Sequence, residues 1–431
     1  MIRWRFSFLH VLIKLAVAAA FTTTSASAHG LSDSCKPRAY GAKGDGVTKD
    51  TAAIQEAIDV CERRGGGTVW LDAGTYLSAP IVLKSNITLW LDKGATLLGS
   101  SDHEDYPPKT EFRKPGRQSL VSATNASNVA IRGEGVIDGA GKAWWQKKGA
   151  MDDVWVRPRL VVFDHCKHVL VEGITIQNSP DWQLVPYYSD DVLIRNIKVL
   201  APIPSPNTDA IDPFSSSNVR IDHVLADVGD DDIAIKSGMP GSPGPDEPSR
   251  DITITDCTFL HGHGLSIGSE LAGGARNIRA ERIHFMGTNN GIRIKSNRDR
   301  GGDVHSLIFR DIDMKNVKTA LNIYEYSGME TRLTQKGPSA DGETAQPVTR
   351  LTPHLHGITI ENVTALDGFS AGEILGLPEA PVSSLVLRNV KIAAQHGLTI
   401  RYARVSGKDL VVEASDGQPI TKLAGAKVSL R

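Results

Sequence analysis

Four short motifs carry the residues that could do chemistry in this chain: Asn207-Thr208-Asp209, Gly229-Asp230-Asp231-Asp232, Gly262-His263-Gly264 and Arg293-Ile294-Lys295. Each alone is ordinary, since Asn, Asp and Gly are common turn residues. Together they offer carboxylates, an imidazole and a guanidinium–ammonium pair spaced at comparable intervals. Arg293 and Lys295 flank Ile294, so in a strand both side chains point to the same face. A carboxylic acid that protonates a leaving oxygen, opposite a carboxylate that activates water, is the requirement of glycoside hydrolysis. Crowding several Asp side chains raises the pKa of at least one of them, which is how a proton donor persists near neutral pH. The two cations would clamp a substrate carboxylate, Arg by a bidentate pair and Lys as a point charge.

Such a set converges only if the elements between the motifs repeat. They do. Short alternating runs recur as Ile87–Leu91, Val129–Ile131, Val169–Val171, Val192–Ile194, Val219–Ile221, Ile252–Ile254, Ile278–Ala280, Leu307–Phe309, Ile358–Ile360 and Leu385–Leu387. Most are preceded by Asn, Asp, His or Ser, and many are followed by a second short run. The starts from Val192 to Leu307 are about 26 to 33 residues apart, within the range of solenoid repeats. Stacking strands too short for an independent sheet buries a continuous core. Residues one period apart then lie about 4.8 Å from each other, so the four motifs meet on one face. The expected fold is all-β, a single-domain parallel β-helix. A short amphipathic helix, Thr51 to Arg64 with Ala53, Ile54, Ala57, Ile58 and Cys61 on one side, is expected to cap its open end and to stop at Gly65-Gly66-Gly67. Met239–Arg250 and Thr331–Arg350 are long polar breaks, expected to form walls of a binding groove.

With these elements in place, the chain resembles glycoside hydrolase family 28, the polygalacturonase family. The resemblance rests on the four motifs, the second of them running on as Ile233-Ala234-Ile235-Lys236-Ser237-Gly238 and the third as Leu265-Ser266-Ile267-Gly268-Ser269. It is supported by Gly135-Val136-Ile137-Asp138-Gly139, Trp144-Trp145 and Asn178-Ser179-Pro180-Asp181-Trp182, and it runs from about Tyr40 to the last repeats. It implies a right-handed helix and hydrolysis of α-1,4-galacturonosidic bonds of pectin with inversion, without a metal or cofactor. By motif, Asp230 resembles the general acid, Asp209 and Asp231 the pair that holds and activates water, and His263 the residue supporting the acid. Arg293 and Lys295 resemble the carboxylate clamp; Asn207 and Tyr326 are further candidates for substrate contact. Asp232 departs from the familiar pattern, which has Cys or another small residue there. Strand alternation would set Asp230 and Asp232 on one side and Asp231 on the other unless a turn intervenes; the Ile233–Gly238 run favours Asp230 and Asp231 as the site residues. Exo action is slightly favoured over endo, because the long breaks could close one end of the groove. A pectate or pectin lyase on the same fold, or a non-catalytic polysaccharide-binding β-helix, are the competing readings.

Composition agrees with an exported enzyme on a polyanion. The 431 residues carry 48 Lys and Arg against 49 Asp and Glu, so positive charge must be local and no nucleic-acid partner is indicated. Arg3, Arg5 and Lys14, an apolar stretch to Phe21 and Ser25-Ala26-Ser27-Ala28 read as a signal peptide over residues 1–28. Residues 29–431 would then be the mature β-helix, secreted or periplasmic, free of the membrane after cleavage and monomeric, with pectin oligosaccharides as its partner. Export permits disulfides, and of Cys35, Cys61, Cys166 and Cys257 the first two are the favoured pair.

Overall fold

A computed structural model describes residues 35–112, 114–145, 157–241, 246–326 and 342–430. The candidate signal segment 1–28 lies outside the described residues, as do residues 242–245 and 331–341 of the two long polar breaks. Each coil places three strand positions in parallel register with the next, and the chain winds as a right-handed parallel β-helix.

The first sheet runs through Gly67–Leu71, Ile87–Leu91, Ser127–Gly133, Lys167–Glu172, Asp190–Arg195, Ser217–Asp222 and Ser249–Thr255. Alternation decides which side chains enter the core: Leu89, Ile131, Val171, Ile194, Ile221 and Ile254 stack inward and are fully buried. The polar residue before so many runs has a backbone reason. Asn86, Asn128, His168, Asp191, Asn218, Asp251 and Asn277 turn the corner at φ between 54° and 62°, a left-handed conformation that Asn and Asp tolerate best. From Ala275 onward the first and second runs of a coil merge into long strands such as Ala275–Met286 and Asp303–Lys315. There the ladder continues through the corner, with Arg282 and Asp311 taking the turn at φ 54° and 56°.

The third sheet positions the chemistry. It stacks Ile81–Leu83, Val121–Thr124, Val161–Asp164 and Leu184–Tyr187, then bridges at Ile211 and Phe214, then Ile233–Ile235, Leu265–Gly268, Asn290–Lys295 and Thr319–Tyr324. Val161, Leu184, Ile211, Ile233, Leu265, Ile292 and Leu321 form one inward column, so their chain neighbours face outward.

The N-terminal end is capped by the helix Thr51–Arg63, whose Ala53, Ile54, Ala57, Ile58 and Cys61 are buried against the first coil. Cys61 is bonded to Cys35, with their Cα atoms 6.0 Å apart, and Cys35 in turn bridges to Val69 of the first sheet. Gly66 ends the helix region at φ 123°, where a Cβ would meet Asn86 at 2.5 Å. Cys166 and Cys257 are buried free thiols.

Candidate active site

The register of the third sheet brings the four motifs together. Ile211 pairs with Ile233, Ile233 with Leu265 and Leu265 with Ile292. Counting back two residues, Asp209, Asp231, His263 and Asn290 occupy equivalent places in four consecutive coils. Arg293 and Lys295 pair with Ser266 and Gly268, and Ile294 between them is fully buried. Both cations therefore lie outward, beside the carboxylates.

The glycines around His263 are required by this stacking. A Cβ on Gly262 would meet the Asp230 carbonyl oxygen at 2.6 Å and a Cβ on Gly264 the Asn290 oxygen at 2.0 Å, and both sit at positive φ. The His263 N–H donates to the Asp230 carbonyl at 2.8 Å. Its ring Nδ1 lies 2.9 Å from Asp230 Oδ1 and 4.0 Å from Asp231 Oδ1.

The Asp triplet does not alternate as a strand, because the strand begins only at Ile233. Asp230 lies in a bend, and its Oδ1 accepts the Asp231 N–H at 2.9 Å. Asp231 is 1% exposed and accepts from Lys295 Nζ at 2.8 Å, Ser266 Oγ at 2.8 Å and Arg293 Nη1 at 3.3 Å. Burial works to raise its pKa, but Lys295, then Arg293 and Lys236 outweigh burial and hold the carboxyl well below the usual range. Asp232 is fully buried, and its Oδ2 accepts the Gly264 N–H at 2.9 Å. Burial above all, then the neighbouring acids Asp231, Asp227 and Asp230, push its carboxyl well up, opposed only by that N–H. Adjacent carboxylates are thus driven to opposite charge states.

Asp209 is 3% exposed, with one oxygen 3.7 Å from Lys236 Nζ. Burial, then Asp212 and Asp230, push its carboxyl well up, and Lys236 opposes them. Asn207 adopts φ 55° and its side-chain oxygen accepts from Arg157 at 2.6 Å. Arg157 also donates to the Pro206 and Pro180 carbonyls, tying the Asn-Thr-Asp turn to the Asn-Ser-Pro-Asp-Trp turn of the preceding coil. Tyr326 lies apart from the carboxylates. Its hydroxyl donates to Glu343 and to the Gly376 carbonyl, and its ring packs against Arg401 and Arg298. The tyrosine on the cationic pair is Tyr324, whose hydroxyl accepts from Arg293 Nη2 at 3.2 Å.

Sequence reasoning missed Asp212, Lys236, Ser266 and Tyr324 as site residues. Alternation held a signal for three of them, since Lys236 follows buried Ile235, Ser266 lies between buried Leu265 and Ile267, and Tyr324 follows buried Ile323. Asp212 had none, as Asp209–Phe214 follows no strand period.

Among the described residues two groups have donor atoms near enough to hold a metal ion: Asp230 with Asp231 and His263, and Asp222 with His223 and Asp256. In the first, Lys295 and Arg293 already neutralise Asp231. In the second, Arg282 takes both oxygens of Asp256. Protein cations thus supply charge that a metal would otherwise bring.

An aromatic cluster covers part of this sheet face. The antiparallel hairpin Pro108–Glu111 and Lys114–Arg117 brings Phe112 against Tyr187, Phe214 and Trp182, at ring-centroid distances of 4.4, 5.5 and 5.6 Å. Arg159 lies over Phe112 and Trp182 at 4.0 and 4.6 Å. Val162 and Val185, which face outward, are buried in this separate apolar cluster. Trp182 stands one coil before Asp209, so the aromatic cluster adjoins the carboxylates directly.

Comparison with known proteins gives a consistent picture. Residues 71–404 match the model of Glycosyl hydrolases family 28. A probable polygalacturonase of Vitis vinifera is 32% identical over 375 residues, covering 82% of this chain and 73% of that protein. An endo-polygalacturonase of Pectobacterium carotovorum subsp. carotovorum is 32% identical over 290 residues, covering 62% of this chain and 69% of its own length. Among solved structures, a hyperthermoactive exopolygalacturonase from Thermotoga maritima superposes with TM-score 0.74 at 28% identity, over 90% of this chain and 93% of its own.

Proposed function

This chain belongs to glycosyl hydrolases family 28, and from that membership we propose that it hydrolyses α-1,4-galacturonosidic bonds of polygalacturonate with inversion, from a chain end. The observation that carries the reading is the meeting of Asp209, Asp230, Asp231 and His263 with the Arg293–Lys295 pair on one sheet face.

Asp230 is the proton donor to the leaving oxygen, and His263, its Nδ1 2.9 Å from Asp230 Oδ1, positions it. Asp209 and Asp231 hold the attacking water, and the carboxylate that takes its proton must be ionised. The cations around Asp231 serve that purpose. Inversion needs the acid and base carboxyls roughly 6.5–9.5 Å apart, with water between. Arg293 and Lys295 take the galacturonate carboxylate, and Asn207, held by Arg157, borders the groove.

Action from a chain end is supported by the aromatic cluster of Phe112, Trp182, Tyr187 and Phe214, which covers the sheet face next to Asp209. A polymer threaded through the site would have to pass where these rings sit. The long breaks invoked from sequence are not needed for this. Viscosity and reducing ends measured together on polygalacturonate test it: reducing ends should rise while viscosity lags. A viscosity collapse at a few per cent of bonds cut contradicts it.

Export after cleavage at residue 28 and action as a monomer complete the reading. Among the described residues no helix is long and apolar enough to cross a membrane.

A further inference from the structure

Behind the carboxylates lies a buried cation whose part in holding Asp231 ionised leaves its contact with Asp209 unassigned. Lys236 is 4% exposed, and its Nζ sits 3.4 Å from Glu270 Oε2, 3.7 Å from Asp209 Oδ2 and 4.8 Å over the Trp182 ring. It follows the strand Ile233–Ile235, whose Ile235 faces the core, so Lys236 projects on the side of the groove, one coil after Phe214. An ammonium this deeply buried is costly unless paired. We propose that Lys236 is a positioning residue for hydrolysis, whose ammonium, 3.7 Å from the Asp209 carboxyl, offsets the acids around it and keeps it aimed at the attacking water.

The inference rests on the role given to Asp209 above. Around Asp209 the other charged groups are acids: Asp212 from its own segment, and Asp230 and Asp231 from the next coil. Asp212 is fully buried and neither of its oxygens has a hydrogen-bond partner among the described residues; one oxygen of Asp209 is likewise unpartnered. Lys236 is the cation within ion-pair distance of Asp209, whereas Lys295 and Arg293 are spent on Asp231. Burial and these acids push the Asp209 carboxyl well up even beside Lys236, so losing the ammonium would raise it further and move to higher pH the range in which Asp209 can take a proton from water. Glu270 completes the arrangement. Its carboxyl is held below the usual range against burial by Lys236, then by Lys295, and it pairs with the Lys236 ammonium at 3.4 Å.

Lys236 Nζ is taken up by Glu270 and Asp209 rather than left for a substrate carboxylate, and that separates its signature from that of Arg293 and Lys295. The experiment compares the protein with Lys236→Met, Lys236→Arg and the double variant Lys236→Met/Glu270→Gln. The double variant removes the half-buried glutamate that the single one leaves without its ammonium partner. Initial rates on a galacturonate oligomer are measured from pH 3 to 8, with circular dichroism confirming the fold. Lys236→Met and the double variant should lose kcat on the order of 10²-fold with KM nearly unchanged. Their acidic limb should move to higher pH, because a positive charge that favoured ionised Asp209 is gone. Lys236→Arg should recover part of both. A folded double variant with unchanged kcat, a loss confined to KM, or a loss of kcat with an unmoved acidic limb each overturns the proposal. Parent protein without activity on the oligomer would instead overturn the hydrolase reading on which it rests.

Discussion

Lys295 Nζ lies 2.8 Å from Asp231 Oδ2, so a residue proposed to bind the substrate carboxylate also fixes the charge of a water-holding acid. Arg293 shares the task at 3.3 Å and leans on the Tyr324 hydroxyl. Lys295→Ala should therefore damage kcat as well as KM. A charge-assisted hydrogen bond is worth about 1.5–3 kcal/mol, roughly 10- to 150-fold in kcat/KM. The pH direction follows from the low folded-state pKa of Asp231. Removing Lys295 lets that pKa rise, so the acidic limb should move to higher pH. A pure KM effect with the pH profile unmoved would show that the two tasks are separate. Polymer with fully esterified carboxyls should be a poor substrate for the parent protein.

Asp230→Asn, Asp231→Asn and Asp209→Asn should each lose about 10²–10⁴-fold in rate while keeping the fold. Their losses should not add, since the groups act as a unit. Oligomer hydrolysis by the three single variants and one double variant checks this. Full additivity would mean that the carboxylates act in separate steps.

Asp232→Asn should behave differently. Asp232 is buried beneath Gly264, with its carboxyl pushed well above the ordinary value, so the folded protein keeps a proton that the unfolded chain releases. The unfolded chain thus binds fewer protons above about pH 4, and this residue's contribution to stability is lost as pH rises towards its folded pKa. Asn cannot ionise and escapes that loss. Relative to the parent, Asp232→Asn should gain Tm between pH 4 and 7 and keep most activity. Thermal melts across that range, with rates at pH 5, decide it. An inactive, folded Asp232→Asn beside an active Asp231→Asn would reassign the triplet.

Much of this was readable before the fold was known, and for a physical reason. A parallel stack turns sequence period into spatial column, so Asp209, Asp231 and His263 announce their alignment through the spacing of Ile211, Ile233 and Leu265. The Asn and Asp before the strands were visible because a left-handed corner selects them. What alternation could not resolve was Asp230–Asp232, where the chain bends before the strand begins and contacts from other coils, with Lys295, Ser266 and Gly264, fix the side chains. The hairpin bearing Phe112 was hidden as well. It carries no period, and the aromatic rings it joins are separated by up to a hundred residues of chain. Tyr326 lies past the end of the strand Thr319–Tyr324, where alternation gives no direction, whereas Tyr324, in register with Lys295, meets the guanidinium of Arg293.

The charge a metal would bring is supplied by Lys236, Arg293 and Lys295, so hydrolysis should continue unchanged in excess chelator. Loss of activity with chelator, restored by a divalent cation, would point to the lyase chemistry of the same fold.

Time-resolved proton NMR of hexagalacturonate with the intact protein tests the central claim most directly. The account predicts saturated products from the first minutes, with monomer and pentamer leading and the new reducing end appearing first as the β-anomer. A 4,5-unsaturated product, or a new α-anomer before mutarotation, would contradict it.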